Sequence, residues 1–325
     1  MTEPLTLQDT SSIYITTQGT TLSIRNKRLE VSLNGELIGQ ALLHSVSRIC
    51  IFGAAHLSFP LIDHCLRNGI TIHYFSTHGI HKGMLYGKEI MSYKILERQL
   101  LTSEEDALPL IKSILQAQIS SRINILRKKS FPTDQLVSTL PKIGRAQTMD
   151  SLRGIEGQAA AFYWGSFASM LSTPSLFNGR TRRPPKDIAN SLLSFGYVLL
   201  ASEIEPHVRY YGLNPYRGFL HQFRHGRKSL VLDLLEQFRP VIEHFTISLL
   251  NRKQLTKKHF RKEGVGHYLT DEGKRKYLAS YEQLMRKKHK NEKGEMTLRN
   301  IIQLQVQKLT SWLMSRTDYL PLVMS

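Results

Sequence analysis

Three stretches of the sequence set titratable side chains in unusual local contexts. In residues 152–163 (LRGIEGQAAAFY) a lone carboxylate, Glu156, lies inside a helical pattern between Gly154 and Gly157, with three alanines at 159–161. Each glycine costs a helix interior about 1 kcal/mol relative to alanine. Close approach of another element or a ligand is the expected reason for the pair, and a tight helix crossing with an exposed glutamate is the plainer alternative. In residues 211–221 (YGLNPYRGFLH) the Gly and Asn-Pro residues form a loop that delivers His221 beside Phe219 and Leu220, where it could equally be a satisfied core histidine. In residues 229–240 (SLVLDLLEQFRP) Asp233 and Glu236 are three apart and share one helical face among apolar neighbours. Two carboxylates are expensive to bury there unless paired or metal-bound, and Arg239 could simply neutralise Glu236. Together the stretches offer carboxylate, imidazole and carboxylate, a set that holds a divalent ion with open positions. Such sites suit Mg²⁺ or Mn²⁺, with the imidazole favouring Mn²⁺ slightly. Beside a polyanion, that ion points to phosphodiester chemistry.

The elements that must position these residues change period along the chain. Residues 1–88 read as β: short segments rich in β-branched residues at 12–17, 20–25, 28–33, 36–43, 48–52, 70–75 and 82–86. Asn34-Gly35 is a hairpin signal, and helical spacing at 58–67 ends at Asn68-Gly69. From residue 89 to 325 the period is 3.6, with helices expected over 108–126, 148–171, 188–202, 231–250, 274–288 and 298–314. The expected fold is α+β in two domains: a β-rich, sandwich-like domain (1–88), then an all-α domain (89–325) that carries the candidate site.

Charge divides the same way. The chain has 44 Lys and Arg against 26 Asp and Glu, a formal charge of +18, of which residues 1–90 hold only +1. A polyanionic partner is expected on the helical part and protein contacts on the near-neutral β part. Arg180, Arg182, Arg183 and Lys186 surround Pro184-Pro185 on what must be a loop. Residues 252–299 hold fifteen basic and six acidic side chains, Lys257 and Lys258 among them, interleaved with Tyr268, Tyr277 and Tyr281. Arginine and lysine would hold phosphates, and the tyrosines could stack on unpaired bases. The alternative is a solvated charged helix face. No apolar run spans a membrane, the start of the chain lacks the pattern of a signal peptide, and Cys50 and Cys65 make neither a disulfide framework nor a zinc site. A cytoplasmic, reducing setting is expected.

Residues 152–163, 183–200 (RPPKDIANSLLSFGYVLL), 212–221 and 229–240, in this order, resemble the CRISPR-associated integrase family Cas one, and residues 51–79 are similar to the family's β domain. The resemblance implies a β domain followed by a helical catalytic domain. It implies that Glu156, His221 and Glu236 hold Mg²⁺ or Mn²⁺, that Asp233 is the accompanying acidic residue and that Arg239 lies near DNA. The implied activity is spacer insertion in CRISPR adaptation, by attack of a fragment's 3′-hydroxyl on a phosphodiester of the repeat array, together with metal-dependent DNA cleavage. The implied partners are double-stranded DNA (spacer fragment and repeat), a second copy of the chain held through the β domains in a homodimer, and the small adaptation protein Cas two. Two other readings share these residues: a stand-alone nuclease acting on branched or single-stranded nucleic acid, and a non-catalytic DNA-binding scaffold.

Overall fold

A computed structural model describes residues 11–87, 92–291 and 294–324. The expected boundary after residue 88 falls outside these residues. The strands are β1 (Ser11–Ile15), β2 (Thr20–Arg25), β3 (Arg28–Leu33), β4 (Glu36–Leu42), β5 (Val46–Phe52), β6 (Ala55–Leu57), β7 (Thr71–Phe75) and β8 (His81–Leu85), with helix α1 (Phe59–Asn68) between β6 and β7. Two four-stranded sheets result, ordered β1-β5-β7-β8 and β4-β3-β2-β6. In the first, β1, β5 and β7 are parallel and β8 antiparallel. In the second, both hairpins turn through left-handed residue pairs, Asn26-Lys27 and Asn34-Gly35, which match the twist of the flanking strands. The core draws Ile15, Ile49, Ile51 and Ile72 from one sheet, Leu22, Leu29 and Val31 from the other, and Leu61 and Cys65 from α1. Both cysteines are buried, and neither is in a disulfide.

The next elements are α2 (Tyr93–Leu101), α3 (Glu104–Lys128), α4 (Asp134–Val137), α5 (Thr139–Arg145), α6 (Met149–Phe167), α7 (Ile188–Tyr210), α8 (Ser229–Glu236) and α9 (Arg239–Asn251), then a hairpin of β9 (Phe260–Glu263) and β10 (Gly266–Leu269). The chain continues with α10 (Asp271–Arg286), β11 (Lys288–Asn291), β12 (Gly294–Thr297) and α11 (Leu298–Ser315). No helix of the described residues is long and apolar enough to cross a membrane.

Residues 231–250 do not form the single helix that their apolar spacing predicts. Pro240 sits in the first turn of α9, and its ring excludes the carbonyl four residues back, that of Glu236. The helix therefore breaks at Gln237-Phe238, directly after Glu236. The two small hairpins also depart from the all-helical expectation for 89–325.

The chain forms two compact units: Met1–Glu89 with Asp271–Ile301, and Ile90–Thr270 with Ile302–Ser325. The segment 271–301 thus belongs with the strands, not with the helices that surround it in sequence. Glu282 of α10 explains this: it accepts hydrogen bonds from the Ser12 amide (3.2 Å) and the Tyr14 hydroxyl (3.0 Å) and is forked by Arg299, which also reaches Ser12 Oγ. The formal charge divides accordingly. Segment 271–301 adds nine basic and five acidic residues to the +1 of the first segment, so the strand-rich unit carries +5 and the helical unit +13. Tyr277 and Tyr281 are fully buried in α10, which removes them as base-stacking residues. Tyr268 is half-buried on β10.

Candidate active site

The candidate site lies within the helical unit, and Asp233 organises it. Its Oδ2 accepts the backbone N–H groups of Phe219 (2.5 Å) and Leu220 (3.1 Å), and its Oδ1 accepts those of His221 (3.0 Å) and the His221 ring Nδ1 (2.7 Å). Asp233 is 1% exposed. A carboxylate only accepts, so Nδ1 carries a ring proton, and in the neutral ring Nε2 is the lone-pair donor. Nε2 points toward Glu236 Oε1, 3.6 Å away. Gly218 has no side chain because none fits: a Cβ there would stand 2.7 Å from Asp233 Oδ2 and 2.7 Å from the Ser229 carbonyl carbon.

The loop leading to His221 is anchored at further points. Buried Gln99 of α2 donates to the carbonyls of Asn214 (2.9 Å) and Arg217 (2.7 Å) and accepts from the Asn214 amide. Arg153 of α6 donates to the Leu220 carbonyl (2.8 Å), joining the helix that carries Glu156 to the loop that carries His221. Among the described residues, nothing beyond α6's own backbone lies within 4 Å of where a Cβ on Gly154 or Gly157 would stand. The expectation of close packing by another element at these glycines is therefore corrected, and they leave the helix surface beside Glu156 bare.

Glu236 ends α8, 4% exposed. Its Oε2 accepts a hydrogen bond from Gln118 Nε2 and forms a 2.8 Å ion pair with Arg239. Beneath lies a buried network. Arg122 makes a two-pronged contact with Glu243 (3.1 and 2.8 Å), and the Tyr197 hydroxyl donates to the same carboxylate (3.0 Å). The guanidinium groups of Arg239 and Arg180 stand 5.0 and 5.5 Å from the Tyr197 ring centre. Burial pulls the Arg122 guanidinium down, and Glu243 more than offsets this, holding it above its ordinary value. Burial, and then the Glu236 carboxylate, push Glu156 above the usual carboxylate range, against Arg122, Arg239 and His221. Glu156, His221 and Glu236 are thus electrostatic neighbours.

Among the described residues no three His, Cys, Asp or Glu side chains converge as they stand around one point. The donor types nonetheless fit a hard divalent ion: two carboxylates, and an imidazole whose outer nitrogen is fixed as a lone-pair donor by a carboxylate behind it. Gln118 and Arg239 both sit on Oε2 of Glu236, which leaves Oε1, the oxygen facing His221 Nε2, to ligate an ion.

The expected DNA-binding residues divide in two. Arg182, Arg183, Lys186, Lys257 and Lys258 are exposed. Arg180 is not free: it donates to Asn190 Oδ1 (2.7 Å) and to the Thr181 carbonyl and lies over Trp164, so it shapes the loop. Arg239 is the counter-charge of Glu236, 14% exposed at its side chain. Both arginines belong to the inside of the site, because aromatic rings and acceptors there offset their desolvation. The β10 amide of His267 donates to the Pro185 carbonyl (2.8 Å), tying the β9–β10 hairpin, with exposed Arg261 and Lys262, to the basic loop.

Residues 13–283 match the family described as CRISPR associated protein Cas1. The chain is 33% identical over 307 residues to a CRISPR-associated endonuclease Cas1 of Methanospirillum hungatei, covering 93% of this chain and 88% of that protein. It is 31% identical to one from Thermus thermophilus, covering 95% and 98%. The solved structure of a Cas1 protein from Thermotoga maritima superposes with a TM-score of 0.83 at 28% identity, covering 95% and 98% of the two chains. A casposase bound to its integration product shares the fold at 21% identity (TM-score 0.84, 96% and 92% covered). With a family match over most of its length and full-length relatives at this identity, the chain belongs to the CRISPR-associated Cas1 family.

Proposed function

We propose that this protein is a CRISPR adaptation integrase that joins the 3′-hydroxyl of a short DNA fragment to a phosphodiester of the repeat array, and that it also cleaves DNA. The observation that carries this reading is the Asp233-held His221 facing Glu236, with Glu156 beside them, in a unit of charge +13. Glu156, His221 and Glu236 would hold Mg²⁺ or Mn²⁺, which when bound polarises a phosphoryl oxygen and favours the deprotonated nucleophile. Asp233 holds the His221 proton on Nδ1 and fixes the 219–221 backbone. Gln118 and Arg239 hold the Glu236 carboxylate. Arg182, Arg183, Lys186, Lys257 and Lys258 bind phosphates, which fixes DNA without reading its sequence. The partners are double-stranded DNA, the small protein Cas2, and a second copy of the chain met through the strand-rich unit.

A strand-transfer assay on a repeat-containing plasmid, with Cas2 and Mn²⁺, tests this. Glu156→Ala, His221→Ala and Glu236→Ala should each abolish joining while duplex binding persists. Fragments blocked at the 3′ end should not be joined. Cleavage that is indifferent to the 3′ block, with no joined product, would replace the integrase with a stand-alone nuclease. Joining by all three variants would refute the site.

A further inference from the structure

Residues 316–324 follow α11 without helix or strand, and the site as described gives them no role. They are nonetheless hydrogen-bonded along their length. Gln305 Nε2 of α11 donates to the Leu320 carbonyl (3.1 Å). The Leu322 amide donates to Gln237 Oε1 (3.1 Å), and Gln237 Nε2 donates to the Tyr319 hydroxyl (2.8 Å). Farther on, the Met324 amide donates to Ser121 Oγ (2.9 Å), and its carbonyl accepts from Asn124 Nδ2 (2.6 Å), both on α3. The segment is a strap that runs from α11 to α3 across the break between α8 and α9. Leu320 and Val323 on it face water.

The strap grips the residue next to Glu236. Gln237 is fully buried at the point where the last carbonyls of α8 have lost their helical partners. Tyr319 and Leu322 take the two ends of its side-chain amide, and Nε2 also reaches the Leu234 carbonyl (3.4 Å). A buried amide bonded at both ends is held in one orientation, which fixes the backbone that carries Glu236. The far end of the strap acts on the same carboxylate by another route. Ser121 lies one helical turn from Gln118, which donates to Glu236 Oε2. Ahead of the strap, Trp312 of α11 packs edge-on against Phe219 (6.1 Å) in the loop that ends at His221. One C-terminal element therefore touches the neighbours of both groups whose facing atoms stand 3.6 Å apart.

We propose that the 316–324 strap sets the position of Glu236 relative to His221, with Tyr319 as a positioning residue that acts through Gln237. This rests on reading Glu236 as a ligand and adds what holds it at the distance a shared ion needs.

The test is Tyr319→Phe in the full chain, which keeps the ring and removes only the acceptor of Gln237. In EDTA, nitrogen-15 NMR should show the His221 ring resonances displaced and those of exposed His44 and His56 unmoved. Calorimetric Mn²⁺ titration should show a loss of about 10- to 100-fold, the size expected for a group behind a ligand. In a Glu236→Ala background the same substitution should cost no further Mn²⁺ affinity, although it should lower the urea midpoint in both backgrounds. Gln237→Ala should reproduce both effects, and Val323→Ser, on the outer side of the strap, should produce neither. Unmoved His221 resonances, wild-type Mn²⁺ affinity in Tyr319→Phe, or an equal loss in both backgrounds overturns the proposal. A wild type that binds no Mn²⁺ would overturn the metal reading separately, and the resonances in EDTA would still decide the strap.

Discussion

Replacing Asp233 by asparagine tests the site at its centre with almost no change in shape. The carboxylate accepts four hydrogen bonds, two on each oxygen. An amide has one oxygen, so whichever way it is turned its NH₂ faces two N–H donors. Two hydrogen bonds to a charged group are lost, each worth about 1.5–3 kcal/mol. Relaxation of the loop reduces the total, and about 3 kcal/mol is the expected loss. A domain stable by about 5–15 kcal/mol survives that. If the NH₂ lies on the ring side, His221 must move its proton to Nε2 and gives up the lone pair that faces Glu236. If it lies on the other side, the Phe219 and Leu220 amides are orphaned and the loop shifts. Either way Mn²⁺ affinity should fall about 10- to 100-fold, as for other carboxylates that back a ligating histidine. Urea denaturation of the full chain and calorimetric Mn²⁺ titration measure the two effects separately. If the Asp233→Asn variant unfolds at the wild-type urea concentration and binds Mn²⁺ with wild-type affinity, Asp233 clamps nothing.

The same clamp predicts that Gly218→Ala lowers both stability and Mn²⁺ affinity, since the new methyl meets Asp233 Oδ2 and backbone at 2.7 Å; normal values in both assays would contradict it. Arg122→Met should destabilise the protein by about 3–5 kcal/mol by stranding the Glu243 carboxylate, and Arg122→Met with Glu243→Leu should recover part of that loss; a double-mutant cycle with no coupling would refute the buried pair. Glu156→Gln in chelator should be more stable than wild type at pH 8. A carboxyl raised by burial contributes stability below its unfolded value and loses it as pH rises through the folded one, so the variant's advantage should shrink toward pH 4 in denaturation at several pH values. Burial pushes the Cys65 thiol up to about 11, so alkylation at pH 8 should be slow in the native protein and fast in urea, as followed by mass spectrometry.

Most of the strand-rich unit was legible because its signals are local: alternation, Asn-Gly turns and a glycine stop after α1. The ligand candidates were legible as types in unusual company. The pairing beneath them was not, because Gln118 and Glu236, or Arg122 and Glu243, are more than a hundred positions apart. A signal did exist: positions 111, 115, 118 and 122 share one helical face, and polar residues interrupt an otherwise apolar stripe there. Arg180 read as a DNA contact because charge counting cannot separate a guanidinium aimed at solvent from one laid on Tyr197, whereas Arg239 was placed near DNA by the family resemblance and its spacing from Glu236 already offered the ion pair. Tyr277 and Tyr281 looked available for the same reason, although their four-residue spacing also fits a buried helical face. The break after Glu236 was written in Pro240 and outweighed by the strong apolar period around it.

The Glu282 contact has a consequence for synthesis. Its hydrogen bond to Ser12 closes a separation of 270 residues. The strands of the first 87 residues are made first, but the carboxylate that holds the outer strand β1 through Ser12 and Tyr14 is made only when most of the chain exists. During translation N-terminal parts fold first, so these strands must wait with an incomplete edge while the helical unit is produced. An unfinished edge is a place where chains pair wrongly, so slow translation after residue 87 should expose this protein to aggregation more than slow translation after residue 301.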